Sequence, residues 1–301
     1  MGQCRNCGSD ATENLGFVGS ISPFFLKRVL DLEMGVPPAV HPVKKLLRQI
    51  PFAAKAFRRI YGGAACTEME ICRSCTFVQT RIPFRDEAIA KLYADYRADS
   101  YNRERIHYEP SYAAIAQDVG GCRQEIEART GGLTQWLASR ITPEPGFSML
   151  DFGGADGKFL PTLPGTKSVY EISNITPAPG ITRIEKASDL GTYSYVQLAH
   201  VLEHVPNPLL LTKKAASLVK PGGYLYIEVP IEISDRDLDR LLAGDRTIPL
   251  PIHEHINRYS ERSMTELLRS ANLIAKAVET RPLDCGWIKT AVIRALAQPA
   301  A

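Results

Sequence analysis

At 301 residues, with 45% hydrophobic and 23% charged side chains, the chain has globular composition and is long enough for one α/β domain plus a smaller unit, which excludes disorder. The net charge of +3, from 36 basic and 33 acidic residues, is too slight to imply nucleic acid on its own. No apolar run is long enough to cross a bilayer, the polar start is not a secretory signal, and seven cysteines do not make a secreted disulfide framework. A cytoplasmic protein with reduced thiols is expected.

Cys4-x-x-Cys7 and Cys72-x-x-Cys75 are two knuckles of the kind that together hold zinc through four thiolates. The 64 residues between them are no obstacle: lengthening the loop that far costs about 1 kcal/mol of closure entropy, against zinc binding on the order of 10 kcal/mol. With no open position, such a zinc is structural. Between Ile21 and Ile60, inside the gap, Lys27, Arg28, Lys44, Lys45, Arg48, Lys55, Arg58 and Arg59 stand against only Asp31 and Glu33, and Val43 to Ile60 has amphipathic helical spacing. This basic face suits solvent or the phosphates of a nucleotide-linked substrate; the rival is an RNA-directed protein or nucleic-acid-binding module. The expected divisions are a zinc module with a basic helical insertion (1–82), connecting helices (83–142) and a cofactor domain (143–301).

In the connecting layer, Asp86 to Arg97 and Ser111 to Ala138 carry helical spacing, with Gly131-Gly132 separating two helices. After the Pro-rich break at 143–146 come strands Phe147 to Phe152, Lys167 to Ile172, Ile181 to Lys186 and Tyr195 to Leu198. Helix Pro208 to Val219, strand Tyr224 to Val229, helix Ser260 to Ala271 and strands Ile274 to Thr280 and Trp287 to Leu296 follow. Such alternation builds a parallel sheet covered by helices.

Asp151-Phe-Gly-Gly-Ala-Asp-Gly157 follows the first strand, where an open α/β sheet binds its cofactor, and is expected to open a helix. No register supplies G-x-G-x-x-G, and Asp151 and Asp156 would repel a pyrophosphate. The two carboxylates suit a cofactor carrying a sulfonium and an ammonium. Glu171 ends the second strand, where a carboxylate can accept both hydroxyls of a ribose.

These segments, with His200-Val-Leu-Glu-His-Val-Pro-Asn-Pro208 and Lys220-Pro-Gly-Gly-Tyr-Leu225, resemble the motifs of class I methyltransferases that use S-adenosylmethionine (SAM). The resemblance implies a Rossmann-like α/β fold with seven strands, the last antiparallel. It also implies Asp151, Gly153, Gly154 and Gly157 at the methionine part of SAM, Glu171 on the ribose, Ser188 and Asp189 near the adenine, and His200 at the pocket. Ala155 stands where the family often has Gly, and Pro161 and Pro164 shorten the first helix. His200-Val-Leu-Glu-His204 also matches the H-x-x-E-H of inverted zinc peptidases, but it directly follows a strand that already explains it.

The four-Cys module, Cys75 to Pro83, the tyrosines Tyr93, Tyr96 and Tyr101, and His253-Glu-His-Ile-Asn257 are together similar to sugar C-methyltransferases acting on nucleotide-linked deoxysugars. Their C-terminal domain has no counterpart before Ala301, and Ile252 stands where they tend to have Tyr. The resemblance implies a small-molecule acceptor, a sugar, with nucleic acid and membrane not involved; an O-methyltransferase of another metabolite is the alternative. A lid is expected at Asp235 to Ala243. His255 is the expected general base, with His253 projecting to the same side of an extended stretch and Glu254 to the other. The acceptor atom and oligomeric state are not legible.

Overall fold

The computed structural model describes residues 2–32 and 66–300, which form two sheets. Val43 to Ile60, and with it six of the eight basic residues, lies outside the described residues. The larger sheet contains β4 (Ser148–Phe152), β5 (Thr166–Tyr170), β6 (Thr182–Ile184), β7 (Tyr193–Ala199), β8 (Val219–Pro230), β11 (Leu273–Asp284) and β12 (Lys289–Pro299). Their order is β11-β12-β8-β7-β4-β5-β6, and β12 alone runs antiparallel, pairing that way with both β8 and β11. This is the Rossmann-like sheet expected from the motifs.

Strict alternation places the central strands between two cores. Leu150, Val196, Leu198, Leu225, Ile227 and Val229 face one side; Met149, Tyr195 and Tyr226 face the other. The first face is covered by α6 (Pro208–Ala216) and α8 (Glu261–Ser270), and Cys4, Cys72 and Cys75 join the same core. The second is covered by α5 (Gly132–Ala138) through Leu133, Trp136 and Leu137.

The smaller sheet has the order β10-β3-β2-β1-β9, from β1 (Thr12–Ile21), β2 (Cys66–Cys72), β3 (Val78–Thr80), β9 (Leu250–Ile252) and β10 (Asn257–Arg258). Its two edge strands come from the excursion after β8, which closes both open edges of the N-terminal hairpin strands. Beneath it α1 (Pro23–Leu30), capped by the Ser22 hydroxyl accepting from the Phe25 N–H, buries Phe24, Phe25, Leu26 and Val29. Of the basic segment, Arg28 is engaged by Asp95 and Glu104 at 2.6 Å each, and Lys27 by Asp31 at 3.1 Å.

Three expectations about helices are corrected. No helix follows β4: Gly157 and Leu160 make i→i−3 turns, Gly157 sits at φ +76, and Pro161 and Pro164 can donate no helical hydrogen bond. Gly131 and Gly132 do not separate helices. Both keep helical dihedrals, and a π turn (Glu127–Gly131) joins α4 (Arg123–Ile126) to α5. The lid expected at Asp235 to Ala243 is instead the packed helix α7 (Asp235–Leu242), whose Leu238 and Leu241 enter the core of the smaller sheet.

Ser260 joins the two halves. Its hydroxyl accepts from the Ser263 N–H in a reciprocal cap of α8 and lies 2.6 Å from Thr76 Oγ1 beside the knuckle. Ser260→Ala is expected to lower unfolding free energy by about 1–2 kcal/mol, read by urea denaturation; an unchanged midpoint would contradict this role.

Candidate functional site

The turn after β7 sets the site. His200 adopts φ +56 at the strand's end, and its N–H donates to the Glu228 carbonyl of β8 at 2.8 Å. The excursion after β8 is clamped onto this turn. The N–H groups of Ile256 and Asn257 donate to the Glu203 carbonyl at 2.9 and 3.2 Å, and Asn257 Nδ2 donates to the carbonyls of Leu202 (2.9 Å) and Val205 (2.8 Å). His255 is thereby held over His204, ring centroids 4.6 Å apart.

A cavity of about 530 Å³ opens here, between the ends of the sheet strands and the excursion. Asp151, Gly153, Gly154 and His200 line it on the sheet side, and Glu232, Glu254 and His255 on the other. A second cavity of about 270 Å³ shares Tyr96, Gly153, Ala155, His200 and His204 with it and is walled by Tyr93, Phe152, Tyr170, Glu171 and Ile172. The tyrosines flagged in the sequence form an edge-to-face ladder above it, Tyr93 to Tyr96 at 5.5 Å and Tyr96 to Tyr101 at 5.4 Å.

Asp151 is 1% exposed with neither carboxylate oxygen hydrogen-bonded, and burial pushes its carboxyl up to about 7. A Cβ on Gly154 would stand 2.0 Å from the Asp151 Cγ, so this glycine is sterically required. An orphaned buried carboxylate beside a side-chain-free backbone fits the ammonium of a methionine moiety. Glu171 accepts from the N–H groups of Ala155 (2.9 Å) and Ser173 (2.8 Å), which fix its carboxylate while leaving further acceptor positions. Gly157 packs under Ile181 and lines neither cavity, and exposed Ser188 and Asp189 are not brought to either wall.

His255 Nδ1 lies 2.7 Å from Glu232 Oε1, whose other oxygen is 3.0 Å from Arg258 Nε. Burial alone would lower the imidazole's pKa, but the hydrogen bond and negative charge of Glu232, with the charge of Glu203, together outweigh it and raise it. The expected shared side for His253 and His255 is corrected: bends at His253 and Glu254 break the alternation. The His253 ring turns outward to Glu109 at 3.2 Å, whereas Glu254 reaches the cavity, hydrogen-bonded by Tyr101 and Arg105.

Below the cavity floor Glu203 is 1% exposed among three imidazoles. Its Oε1 lies 3.4 Å from His200 Nδ1 and 3.7 Å from His204 Nε2. Burial would raise this carboxyl, but His204 and His200 bring it down to about 2. Burial and neighbouring His255 lower His204 to about 4. Sequence reasoning missed Glu232 and Arg129, the latter 3.3 Å from Glu125 and stacked on Phe159 at the cavity wall. No one-dimensional pattern sets either apart.

At the base of the smaller sheet the four knuckle thiols are free of disulfides and all lie within 4.8 Å of one another, a set that could bind a metal. Cys4 to Cys75 and Cys7 to Cys72 are each 3.7 Å, and Asn6 Nδ2 reaches Cys75 at 3.7 Å.

A family model described as a methyltransferase domain matches residues 123–275, half of the chain. The chain belongs to this methyltransferase family. Similar curated proteins are ubiquinone biosynthesis O-methyltransferases: that of Vibrio parahaemolyticus is 28% identical over 112 residues, 36% of this chain and 45% of that protein. That of Xanthomonas campestris is 27% identical over 138 residues, 38% and 57% of the two chains. The methyltransferase thus spans about half the length of the curated relatives it matches. Among solved structures, the Burkholderia thailandensis 1,6-didemethyltoxoflavin-N1-methyltransferase aligns over 76% of this chain and 98% of its own at 13% identity, TM-score 0.46. Among the described residues no helix is long and apolar enough to cross a membrane.

Removing one knuckle ligand tests the thiol cluster. Purified protein is expected to carry one metal per chain by elemental analysis, and Cys72→Ser to lose it together with stability; metal-free wild-type protein would contradict this.

Proposed function

We propose that the methyltransferase acts on a small molecule, a sugar either nucleotide-linked or part of a polysaccharide or natural product. In this reading Cys4, Cys7, Cys72 and Cys75 hold a structural zinc. The carrying observation is the Glu232–His255 pair, aimed into the cavity that also exposes Asp151 and Gly153.

SAM supplies an electrophilic methyl group on a sulfonium. Asp151 would hold its ammonium, Gly153 and Gly154 would admit its methionine part, and Glu171, in the aromatic-walled second cavity, would accept from the ribose hydroxyls. Arg129, ion-paired to Glu125 and Glu228, lines the cavity where it is placed for the cofactor's carboxylate. His200 is kept as a wall of the site by Glu203 and Glu228 on its two nitrogens.

Transfer to a hydroxyl, or to a carbon beside a ketone, needs a base, because the sulfonium cannot take the acceptor's proton. With His255 donating from Nδ1 to Glu232, its Nε2 keeps a lone pair that would accept that proton as the methyl group leaves the sulfonium sulfur for the acceptor. Glu254 is fixed by Arg105 and Tyr101 at the rim, where it can receive an acceptor hydroxyl. The polar lining of Arg97, Glu232, Glu254 and His255 beside Trp287 suits a sugar.

Two features favour a second reading, O-methylation of another small metabolite: the activity of the curated relatives, and the apolar wall of Val119, Leu283 and Ile288. Methyl-labelled SAM offered with nucleotide-linked deoxysugars, phenolic polyprenyl compounds and total RNA separates the readings by which product carries label. His255→Asn is expected to lower turnover on the labelled acceptor by about 10²- to 10⁴-fold while SAM affinity, read by calorimetry, stays within about twofold. Full activity in that variant would remove His255 as the base.

A further inference from the structure

The carboxylate buried beneath the cavity floor has more around it than methyl transfer uses. Glu203, His204 and His255 each present one ligand atom, and all three atoms lie within 4.8 Å of one another. Ligands at about 2.0–2.1 Å around a tetrahedral zinc stand about 3.4 Å apart, so the groups need to close by at most about 1.4 Å. Glu203 is 1% exposed, and its carboxylate has no hydrogen bond of good geometry, only long contacts from Oε1 to His200 Nδ1 at 3.4 Å and His204 Nε2 at 3.7 Å. A buried carboxylate in that condition, faced by two imidazoles, is the donor set of a borderline divalent cation.

The outer nitrogens of both rings are already engaged. His255 Nδ1 is on Glu232 at 2.7 Å, and His204 Nδ1 is 2.6 Å from the Tyr93 hydroxyl and 3.4 Å from the Glu254 carbonyl. With Nδ1–H donating outward in each ring, both Nε2 lone pairs remain for a cation, the arrangement in which second-layer partners orient metal-binding imidazoles. His204 and His255 line the cavity, so a fourth position opens to solvent or acceptor.

We propose that Glu203, His204 and His255 form a binding site for a zinc-class divalent cation, and that its occupancy silences the enzyme by taking the lone pair with which His255 accepts the acceptor's proton. The inhibition half rests on His255 being the base; the ligand set does not. The site is separate from the four-thiol cluster, which contributes no oxygen or nitrogen ligand.

The test is calorimetric titration of Zn²⁺ into the full chain already carrying its N-terminal metal, with turnover followed in parallel. One further equivalent is expected to bind, and turnover to fall with the same midpoint. Glu203→Gln is expected to weaken this binding at least tenfold, and Tyr93→Phe, which keeps all three ligands, by roughly tenfold. No further equivalent, or unchanged affinity in Glu203→Gln, overturns the site. Binding with undiminished or rising turnover overturns the inhibition and His255 as the base together. Loss of turnover in His255→Asn with no zinc equivalent in the wild type overturns the cation site while His255 stands.

Discussion

The clamp between the turn after β7 and the returning excursion is the contact on which the site depends. Four hydrogen bonds run from Ile256 and Asn257 to the carbonyls of Leu202, Glu203 and Val205. The Tyr259 hydroxyl adds a fifth, to Leu202 at 3.2 Å. Without them His255 belongs to a long loop; with them it is fixed against His204 and a buried carboxylate. Because Asn257 is 1% exposed, its amide bonds are made away from competing water, where leaving either carbonyl unpaired costs about 1–3 kcal/mol.

The same excursion gives the smaller sheet both of its edge strands, so the knuckle-bearing N-terminal residues and the cavity wall are parts of one structure. Arg5 extends this coupling, its backbone N–H donating to Gln79 and its guanidinium to Thr80, while its carbonyl accepts from Leu209 at the start of α6. Holding the knuckles together therefore also holds the sheet on which β9 and β10 are placed. A structural metal at such a position acts on the cavity through the backbone and supplies no chemistry to it.

The sheet was legible because its strands are apolar on both faces and separated by Gly and Pro signals, as at Phe147 to Phe152. The glycine loop was legible in its residues but not in its helix, since Pro161 and Pro164 outweigh the usual continuation. The four thiols could be grouped by spacing alone, whereas nothing in spacing brings Glu232 to His255. Their partnership comes from tertiary packing, with Arg258 as third member. His253 shows the opposite failure: period-two alternation assumes extended backbone, and two bends remove it. The cluster around Glu203 was visible only as H-x-x-E-H, without the third ligand contributed some fifty residues later.

A structure of the enzyme with S-adenosylhomocysteine bound would test the placement of the reaction most directly. The amine is expected against the Asp151 carboxylate, the ribose hydroxyls on Glu171, and the sulfur facing the part of the cavity bounded by His200 and His255. A product amine held elsewhere with Asp151 still unpartnered, or a sulfur turned away from His255, would contradict the proposed mechanism.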